Sequence, residues 1–199
     1  MKLFKRSFFK SSGMFIMLSM LLLLSSCATQ QKEQLANAKI NVGFDCDDTL
    51  IFSTPAFEQA DKSGAEGYSD VWWSVVNSND EGNSIVKKVA KAVLEKHQKK
   101  GDGIYVITAR GETGGGILRN YLNKTFGIKK ENVFFTNRKA DKIRELDIKV
   151  YYGDSDSDIE AAKDAGAKGV RILRSPRSSY QSKNNPGIYK EQIIPNSEE

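Results

Sequence analysis

The sequence has little of the side-chain chemistry that histidine and cysteine supply. Its 199 residues include one histidine and two cysteines. One histidine excludes a metal centre built from several imidazoles, and His97 falls at the lysine-rich end of a predicted helix, where we expect a solvated or helix-end side chain. Two cysteines exclude a framework of several disulfides. Any catalytic site must therefore draw on carboxylates, lysines, arginines and hydroxyls.

The chain also lacks a long apolar run and a strong net charge outside its leader. The formal net charge is +5, but Lys2, Lys5, Arg6 and Lys10 lie in residues 1–26, which hold no acid, so the remainder carries +5 − 4 = +1. A nearly neutral protein does not present the broad positive field that nucleic-acid polymers require. The apolar stretch Met14 to Leu24 is shorter than a membrane-spanning helix needs.

Residues 1–26 have the order of a secretory signal, with a basic start, an apolar run and then small residues. Leu24-Ser25-Ser26-Cys27 resembles a bacterial lipobox, which implies that Cys27 is lipidated and becomes the new N-terminus. Ala28 in the next position implies sorting to the outer membrane, with the protein facing either the periplasm or the surface. An ordinary signal peptide cut near Ser26 or Ala28 is the alternative. Residues 27–39 are polar and predict a tether.

The informative stretch follows the apolar run Ile40 to Phe44, where Asp45, Asp47 and Asp48 come within four residues. Buried acids at a strand end are costly unless they bind a cation, and Mg²⁺ prefers carboxylate oxygens. Residues i and i+2 of an extended segment project to one side, so Asp45 and Asp47 can face one substrate atom as nucleophile and acid. The alternative is an acidic turn or helix N-cap. Cys46 is expected to be a buried small residue.

Three later strand ends also place polar side chains at candidate sites. Thr108 follows the apolar run from Gly103 and suits a phosphate oxygen, although it can also cap a helix. Lys139 opens a predicted helix, where a lysine is unfavourable without an anion, although it can also be a plain surface residue. Asp154 and Asp158 belong to a second acidic loop, although acids are favourable at any helix N-terminus.

Residues 51–83 interrupt the regular alternation with an aromatic-rich insertion, which we predict to be a small cap over the site. Both tryptophans of the chain lie here. Phe57 and Trp73 are candidates for a pocket that holds the organic part of a substrate. The alternative is that these rings pack the cap onto the core, which we favour for Trp72.

The alternation of apolar strand-like runs with helical patterns predicts an α/β fold, with a Rossmann-like, mostly parallel sheet covered by helices on both faces. Residues 40–199 form one domain of ordinary size. Helical spacing predicts a short helix over 70–77 and an amphipathic helix over 84–100. Ile193 and Ile194 predict an edge strand.

Together these motifs resemble the haloacid dehalogenase superfamily of phosphohydrolases, and within it the bacterial class B acid phosphatases. The resemblance covers roughly residues 40 to 199. It rests on Phe44-Asp45-Cys46-Asp47-Asp48-Thr49-Leu50-Ile51-Phe52-Ser53-Thr54-Pro55-Ala56-Phe57, Val106-Ile107-Thr108-Ala109-Arg110, Asn137-Arg138-Lys139, Tyr152-Gly153-Asp154-Ser155-Asp156-Ser157-Asp158-Ile159 and Arg171-Ile172-Leu173-Arg174. It implies a haloacid dehalogenase-like phosphatase domain.

The resemblance also implies roles for single residues. Asp45 would be the nucleophile that forms a phospho-aspartate, and Asp47 the general acid and base. One Mg²⁺ per active site would be held by the Asp45 carboxylate, the Asp47 backbone carbonyl and the Asp154 carboxylate, with Asp158 supporting them. The expected phosphate-binding residues are Thr108, Ala109 and Lys139, and the expected substrate-pocket residues are Phe57, Trp73 and Tyr180.

The expected activity is Mg²⁺-dependent hydrolysis of small phosphomonoesters such as nucleotides and sugar phosphates, with phosphotransfer to an alcohol as a further activity. The resemblance also implies a homo-oligomer. The lipobox and Ala109 in place of glycine depart from the family pattern. The segment before the first strand is also shorter than the family's arm, which helps to build its tetramer, so dimer and tetramer both stay open. The alternatives are a lipoprotein 5′-nucleotidase of class C type and a non-catalytic surface lipoprotein that binds a partner.

Overall fold

Six parallel strands form the sheet that organises the chain. The computed structural model describes residues 38–199, so the predicted leader and residues 27–37 of the predicted tether lie outside the described residues. The strands are β1 Asn41–Phe44, β4 Gly103–Thr108, β5 Val133–Phe135, β6 Ile148–Gly153, β7 Lys168–Ile172 and β8 Gln192–Ile194. Their order across the sheet is β5-β4-β1-β6-β7-β8, with every neighbouring pair parallel. The predicted α/β class and parallel sheet are confirmed.

Helices lie in the connections between β1, β4, β5, β6 and β7, because parallel strands need a crossover that a tight turn cannot supply. Among the described residues, the connection from β7 to β8 contains no helix. They are α1 Thr54–Lys62, α2 Asp70–Asn83, α3 Lys88–Lys100, α4 Gly115–Phe126, α5 Lys139–Glu145 and α6 Asp156–Asp164. Directly after β1, strands β2 (Ile51–Phe52) and β3 (Ile85–Val86) pair antiparallel and enclose α1 and α2. The insertion predicted over 51–83 therefore contains β2 and both helices but ends three residues later, at Val86, and its role as a cap stays a prediction.

Two helix predictions were wrong in their limits. The helix predicted over 84–100 begins at Lys88, because Ile85 and Val86 pair with Phe52 and Ile51 as a strand. Apolar β-branched residues satisfy helical spacing and strand pairing alike, so the pattern alone does not separate the two. The helix predicted over 70–77 continues to Asn83.

The polar end of α3 differs in part from its prediction. His97 does lie in the last turn, but it is not solvated: its side chain is only 18% exposed. Its Nδ1 lies 2.7 Å from Asp102 Oδ2 and its Nε2 lies 3.0 Å from the Tyr152 hydroxyl. His97 thus links the helix to the residue before β4 and to strand β6.

The core surrounds β1, because this strand has a neighbour on each side. Val42, Phe44 and Cys46 are fully buried, which confirms the prediction for Cys46. The Phe44 ring stacks on Tyr152 of β6 at 4.8 Å between centroids. Within residues 38–199, none of the helices combines the length and apolar character that crossing a membrane would need.

Candidate active site

The carboxyl ends of three neighbouring strands place the candidate residues at one edge of the sheet. Asp45 follows β1, Thr108 ends β4 and Asp154 follows β6. Parallel strands bring these ends together, which is where open α/β sheets bind ligands. The Asp45 backbone N–H donates to the Tyr152 carbonyl oxygen at 2.8 Å, so the nucleophile candidate extends the ladder of the sheet by one residue.

Three buried carboxylates form the centre of the site. Asp45, Asp154 and Asp158 each offer an oxygen within 4.8 Å of the others. The three residues come from two separate loops, and all are buried. The residues that follow β1 and β6 therefore meet at one place in the structure.

Lys139 lies between the two acidic loops. Its ammonium donates to Asp45 Oδ1 at 2.6 Å and to Asp158 Oδ1 at 2.7 Å. The position at the first residue of α5 directs the side chain toward the sheet edge rather than into solvent. The anion that a lysine at a helix start requires is therefore supplied by these carboxylates. Both carboxylates raise the pKa of Lys139 well above its usual range, against the effect of burial.

The residues fit a small hard cation. Burial raises the pKa of Asp45 well above its ordinary range, and Asp158, Asp154 and Asp47 raise it further, while Lys139 opposes them. Burial and Asp158 likewise raise the pKa of Asp154, against Arg174. A further positive charge would relieve this repulsion, and an all-oxygen donor set is what Mg²⁺ prefers.

The second acidic loop is held by residues around Asp154. Asp154 Oδ1 accepts from the Thr49 hydroxyl at 3.1 Å, and Asp154 Oδ2 accepts from Arg174 Nε at 2.5 Å. The buried guanidinium of Arg171 donates to the Asp154 carbonyl at 2.7 Å and to Asp156 Oδ1 at 2.9 Å. Ser155 and Asp158 form a capping box at the start of α6, and this pair of hydrogen bonds fixes the position of the Asp158 side chain.

Asp47 turns to a different partner from Asp45. Arg110 donates to Asp47 Oδ1 from Nη2 at 2.6 Å and to its Oδ2 from Nε at 3.0 Å. Burial alone would raise the pKa of Asp47, but the Arg110 guanidinium outweighs it and holds that pKa below its usual value. The two aspartates thus occupy distinct electrostatic environments, with the pKa of Asp45 raised and that of Asp47 lowered.

The candidate phosphate-binding residues of β4 lie next to this pair. Thr108 is fully buried, and its Oγ1 accepts the Arg110 backbone N–H at 3.3 Å. Ala109 follows as an exposed residue at the turn. Thr108, Ala109 and Lys139 therefore lie on elements whose ends meet at the same edge as Asp45.

The aromatic candidates separate into two groups. The rings of Phe57 and Trp73 meet edge to face at 6.4 Å, and the Arg110 guanidinium lies 5.7 Å from the Phe57 ring. Tyr180, 47% exposed, lies instead 5.3 Å from the Arg174 guanidinium. Phe57 and Trp73 are thus beside the partner of Asp47, whereas Tyr180 is beside the partner of Asp154.

Several residues around the site had no role in the sequence interpretation. These are Thr49, Asp80, Lys87, Arg110, Arg171 and Arg174. Arg110, Arg171 and Arg174 were visible within the strand-end motifs, where an arginine after an apolar run signals a carboxylate partner. Asp80 and Lys87 gave no such signal. Asp80 follows the helix predicted over 70–77 and Lys87 lies in the one predicted over 84–100, yet both are fully buried.

Comparison with known families agrees with this geometry. Residues 21–183 match the model of the HAD superfamily, subfamily IIIB (acid phosphatase). A class B acid phosphatase from Marinomonas sp. is 40% identical over 185 residues, covering 87% of this chain and 78% of the relative. A class B acid phosphatase from Enterobacter sp. is 36% identical over 187 residues, covering 87% of this chain and 79% of the relative.

Solved structures share the fold at much lower sequence identity. A haloacid dehalogenase-like family hydrolase from Xanthomonas campestris has a TM-score of 0.53 at 15% identity, covering 79% of this chain and 90% of its own. A HAD hydrolase of family IA, variant 3, from Entamoeba histolytica has a TM-score of 0.52 at 15% identity, covering 77% of this chain and 92% of the solved one. These two similarities concern the fold alone.

Proposed function

The chain belongs to the acid phosphatases of HAD superfamily subfamily IIIB, and from this premise we propose that it hydrolyses small phosphomonoesters through a phospho-aspartate on Asp45. The observation that carries the proposal is the buried Asp45 carboxylate, 2.6 Å from the Lys139 ammonium and clustered with Asp154 and Asp158. A nucleophile, a cation and an acidic metal pocket within one small volume are the parts that phosphoryl transfer needs.

Two displacements at phosphorus complete the proposed reaction. First, a carboxylate oxygen of Asp45 forms a bond to phosphorus while the ester P–O bond breaks, and the leaving oxygen takes the proton of the protonated form of Asp47. Next, water attacks the phosphorus of the acyl phosphate, Asp47 accepts a proton from that water, and the Asp45–phosphate bond breaks. Inorganic phosphate leaves, and both carboxyl groups return to their starting states.

We propose Mg²⁺ as the resident cation, held by the carboxylates of Asp45 and Asp154 and the backbone carbonyl of Asp47, with Asp158 supporting them. When bound, it supplies positive charge that favours the ionised form of Asp45 and offsets the charge of a phosphoryl group. The raised pKa values of Asp45 and Asp154 support this assignment, since burial and the neighbouring carboxylates outweigh the effects of Lys139 and Arg174.

We propose that Thr108, Ala109 and Lys139 bind the phosphoryl oxygens. Lys139 bridges Asp45 and Asp158, so it already points to where a phosphoryl group would meet Asp45. The Thr108 hydroxyl and the backbone around Ala109 offer neutral donors at the neighbouring strand end. Together they would balance charge on the equatorial oxygens in the transition state.

We propose that Phe57 and Trp73 contact the organic part of the substrate, with Tyr180 at the other acidic loop. Their partial exposure beside Arg110 and Arg174 supports this role. Flat rings favour nucleotides among the phosphomonoesters, while sugar phosphates and an acceptor alcohol for phosphotransfer remain within the same proposal. A panel of nucleoside and sugar monophosphates, with and without added alcohol, ranks these substrates and measures the transfer.

The direct test is hydrolysis of p-nitrophenyl phosphate at mildly acid pH. We expect activity that EDTA abolishes and added Mg²⁺ restores, and a loss of at least about a thousandfold in Asp45→Asn, because the amide is a poor nucleophile. Asp147→Asn, the same change at an exposed side chain, is the matched control and should keep full activity. Activity of Asp45→Asn equal to that of the control would discard the nucleophile assignment.

We further propose that Cys27 carries a lipid that anchors the protein to the bacterial outer membrane, facing the periplasm or the surface. The support is the leader and lipobox pattern of the sequence, and both lie outside the described residues. The homo-oligomer, as dimer or tetramer, stays a prediction.

A further inference from the structure

A buried chain of charges runs from the insertion after β1 to the candidate acid Asp47. Asp80 lies on helix α2 (Asp70–Asn83), and its Oδ2 accepts from Arg110 Nη1 at 2.5 Å. Its Oδ1 accepts from Arg110 Nη2 at 3.2 Å. The same guanidinium makes its paired contact with Asp47 through Nη2 and Nε. One arginine is thus shared between a carboxylate of the site and a carboxylate of the insertion.

The two carboxylates differ in their access to solvent. The side chains of Asp80 and Arg110 are fully buried, whereas the Asp47 side chain is 24% exposed. The Ser84 hydroxyl donates to Asp80 Oδ1 at 2.6 Å and fixes its orientation. The enclosed end of the chain is therefore rigid, and Asp47 is the end that a substrate can reach.

Helix α2 holds the segment after β4 through a second residue. Asn77 Nδ2 donates to the carbonyl oxygens of Gly111 at 3.0 Å and Thr113 at 2.8 Å, and its Oδ1 accepts from Arg110 Nη1 at 3.1 Å. The backbone that carries Arg110 and the guanidinium itself are both attached to one helix. The orientation of the guanidinium thus depends on α2.

We propose that Asp80 is a positioning residue for proton transfer by Asp47: it fixes the plane of the Arg110 guanidinium, which holds the Asp47 carboxyl toward the leaving oxygen. The inference rests on the proposed function of Asp47. A planar guanidinium bound in pairs on two sides has little freedom to rotate, and its orientation passes directly to both carboxylates. In Asp80→Asn an amide N–H group faces a guanidinium N–H group of Arg110. Two donors repel each other, so we expect the plane of the guanidinium to rotate.

Two substrates with different leaving groups distinguish a positioning role of Asp80 from a general loss of structure. p-Nitrophenolate leaves as a stabilised anion and needs little help from an acid, whereas the alkoxide of glycerol phosphate must be protonated. In Asp80→Asn we expect the rate with glycerol phosphate, taken as kcat/KM, to fall about tenfold, and the rate with p-nitrophenyl phosphate to change by less than about twofold. The value kcat/KM is compared because it does not include the hydrolysis of the phospho-aspartate, which both esters share. A merely structural role would lower both rates by the same factor.

The controls are matched to the change. Asp61→Asn makes the same substitution in the same insertion, where Asp61 Oδ1 accepts from Trp72 Nε1 at 2.8 Å without contacting Arg110. It should leave the ratio of the two rates unchanged. In Asp47→Asn the glycerol phosphate rate should fall strongly, and adding Asp80→Asn to it should lower that rate no further, because both changes act on one step.

The outcomes distinguish the inference from the function on which it rests. If Asp47→Asn lowers both rates equally, the role of Asp47 in the proposed function fails. If Asp47→Asn is selective for the alkyl ester but Asp80→Asn lowers both rates equally, or the two changes multiply, the positioning role of Asp80 is overturned. Should Asp80→Asn yield no folded protein by circular dichroism, Ser84→Ala replaces it. That variant removes the hydroxyl that orients Asp80, and equal rate losses on the two esters would again overturn the inference.

Discussion

Asp158 combines a structural and a chemical task in one side chain. Its Oδ2 accepts from the Ser155 backbone N–H at 3.1 Å and so starts helix α6, while its Oδ1 accepts from Lys139. The contact with Gly153 leaves no room for adjustment: a Cβ on Gly153 would lie 2.2 Å from the Asp158 Cβ. The absence of a side chain at Gly153 is therefore a condition for the site.

We predict that Gly153→Ala displaces Asp158 and weakens the site. Overpacking of this kind costs about 1–3 kcal/mol of stability. The Mg²⁺ concentration for half-maximal activity should rise at least about tenfold, because a carboxylate of the cluster moves away. A Mg²⁺ titration of p-nitrophenyl phosphate hydrolysis measures this. Gly116→Ala is the control, since a Cβ there meets open space; equal Mg²⁺ requirements in the two variants would contradict the prediction.

At the scale of elements, the insertion after β1 meets the turn after β4 closely. Trp73 of helix α2 lies against Gly111, where a Cβ would approach the indole Cδ1 to 2.4 Å. Trp73 also packs edge to face with Trp72 at 4.8 Å. Helix α2 thus places an aromatic ring next to the residue that follows Arg110, and this placement depends on a glycine.

We predict that Gly111→Ala moves Trp73 and impairs binding of substrates with a flat organic group. The KM for a nucleoside monophosphate should rise severalfold, while the KM for glycerol phosphate should change little, because that substrate has no ring to stack. Steady-state kinetics with the two substrates provide the measurement. A KM for the nucleotide equal to that of the unmodified protein would show that Trp73 serves packing alone.

At the scale of the whole molecule, Lys87 joins segments that are far apart in the chain. Its buried ammonium donates to the carbonyl oxygens of Asp48, in the acidic turn, and Leu173, after β7, at 2.5 and 2.6 Å. Burial lowers the pKa of Lys87 to about 8, against the carboxylates of Asp154 and Asp48. The folded protein therefore keeps a buried lysine charged at neutral pH, at a cost in the free energy of folding.

We predict a pH dependence of stability from this lysine. The pKa of Lys87 is about 8 in the folded protein and about 10.5 in the unfolded chain. Between these two pH values the unfolded chain keeps a proton that the folded protein has lost, so the contribution of Lys87 to the free energy of unfolding rises with pH. Lys87→Met lacks this contribution. The difference in unfolding free energy, unmodified protein minus variant, should increase over this range in urea titrations with EDTA. A difference that is flat between pH 8 and 10.5 would contradict the assignment.

The proposed anchor is also a property of the whole molecule. We predict that Cys27→Ser releases the protein from bacterial membranes into the soluble fraction, because the residue that would carry the lipid is lost. Fractionation and detergent phase partitioning compare it with Cys46→Ser, which alters a buried residue of the domain. Equal partitioning of Cys27→Ser and the unmodified protein would exclude lipidation at this position.

The sequence by itself determined the parallel sheet and the positions of Asp45, Thr108, Lys139 and Asp154 near one edge. These follow from local patterns, since strand ends in an α/β alternation meet wherever the strands are parallel. The alternation did not distinguish Ile85–Val86 as a strand from the start of a helix, because only their pairing with Ile51–Phe52 decides this.

Only the tertiary structure decided which charges are partners. Asp80 and Arg110 are 30 residues apart, and Lys87 and Leu173 are 86 apart. A polar residue on a helix is buried or solvated according to what packs over it, and no local pattern carries that information. Contacts of this kind form when the elements assemble, because the low dielectric of the interior makes an unpaired charge costly there and so requires a partner from another part of the chain.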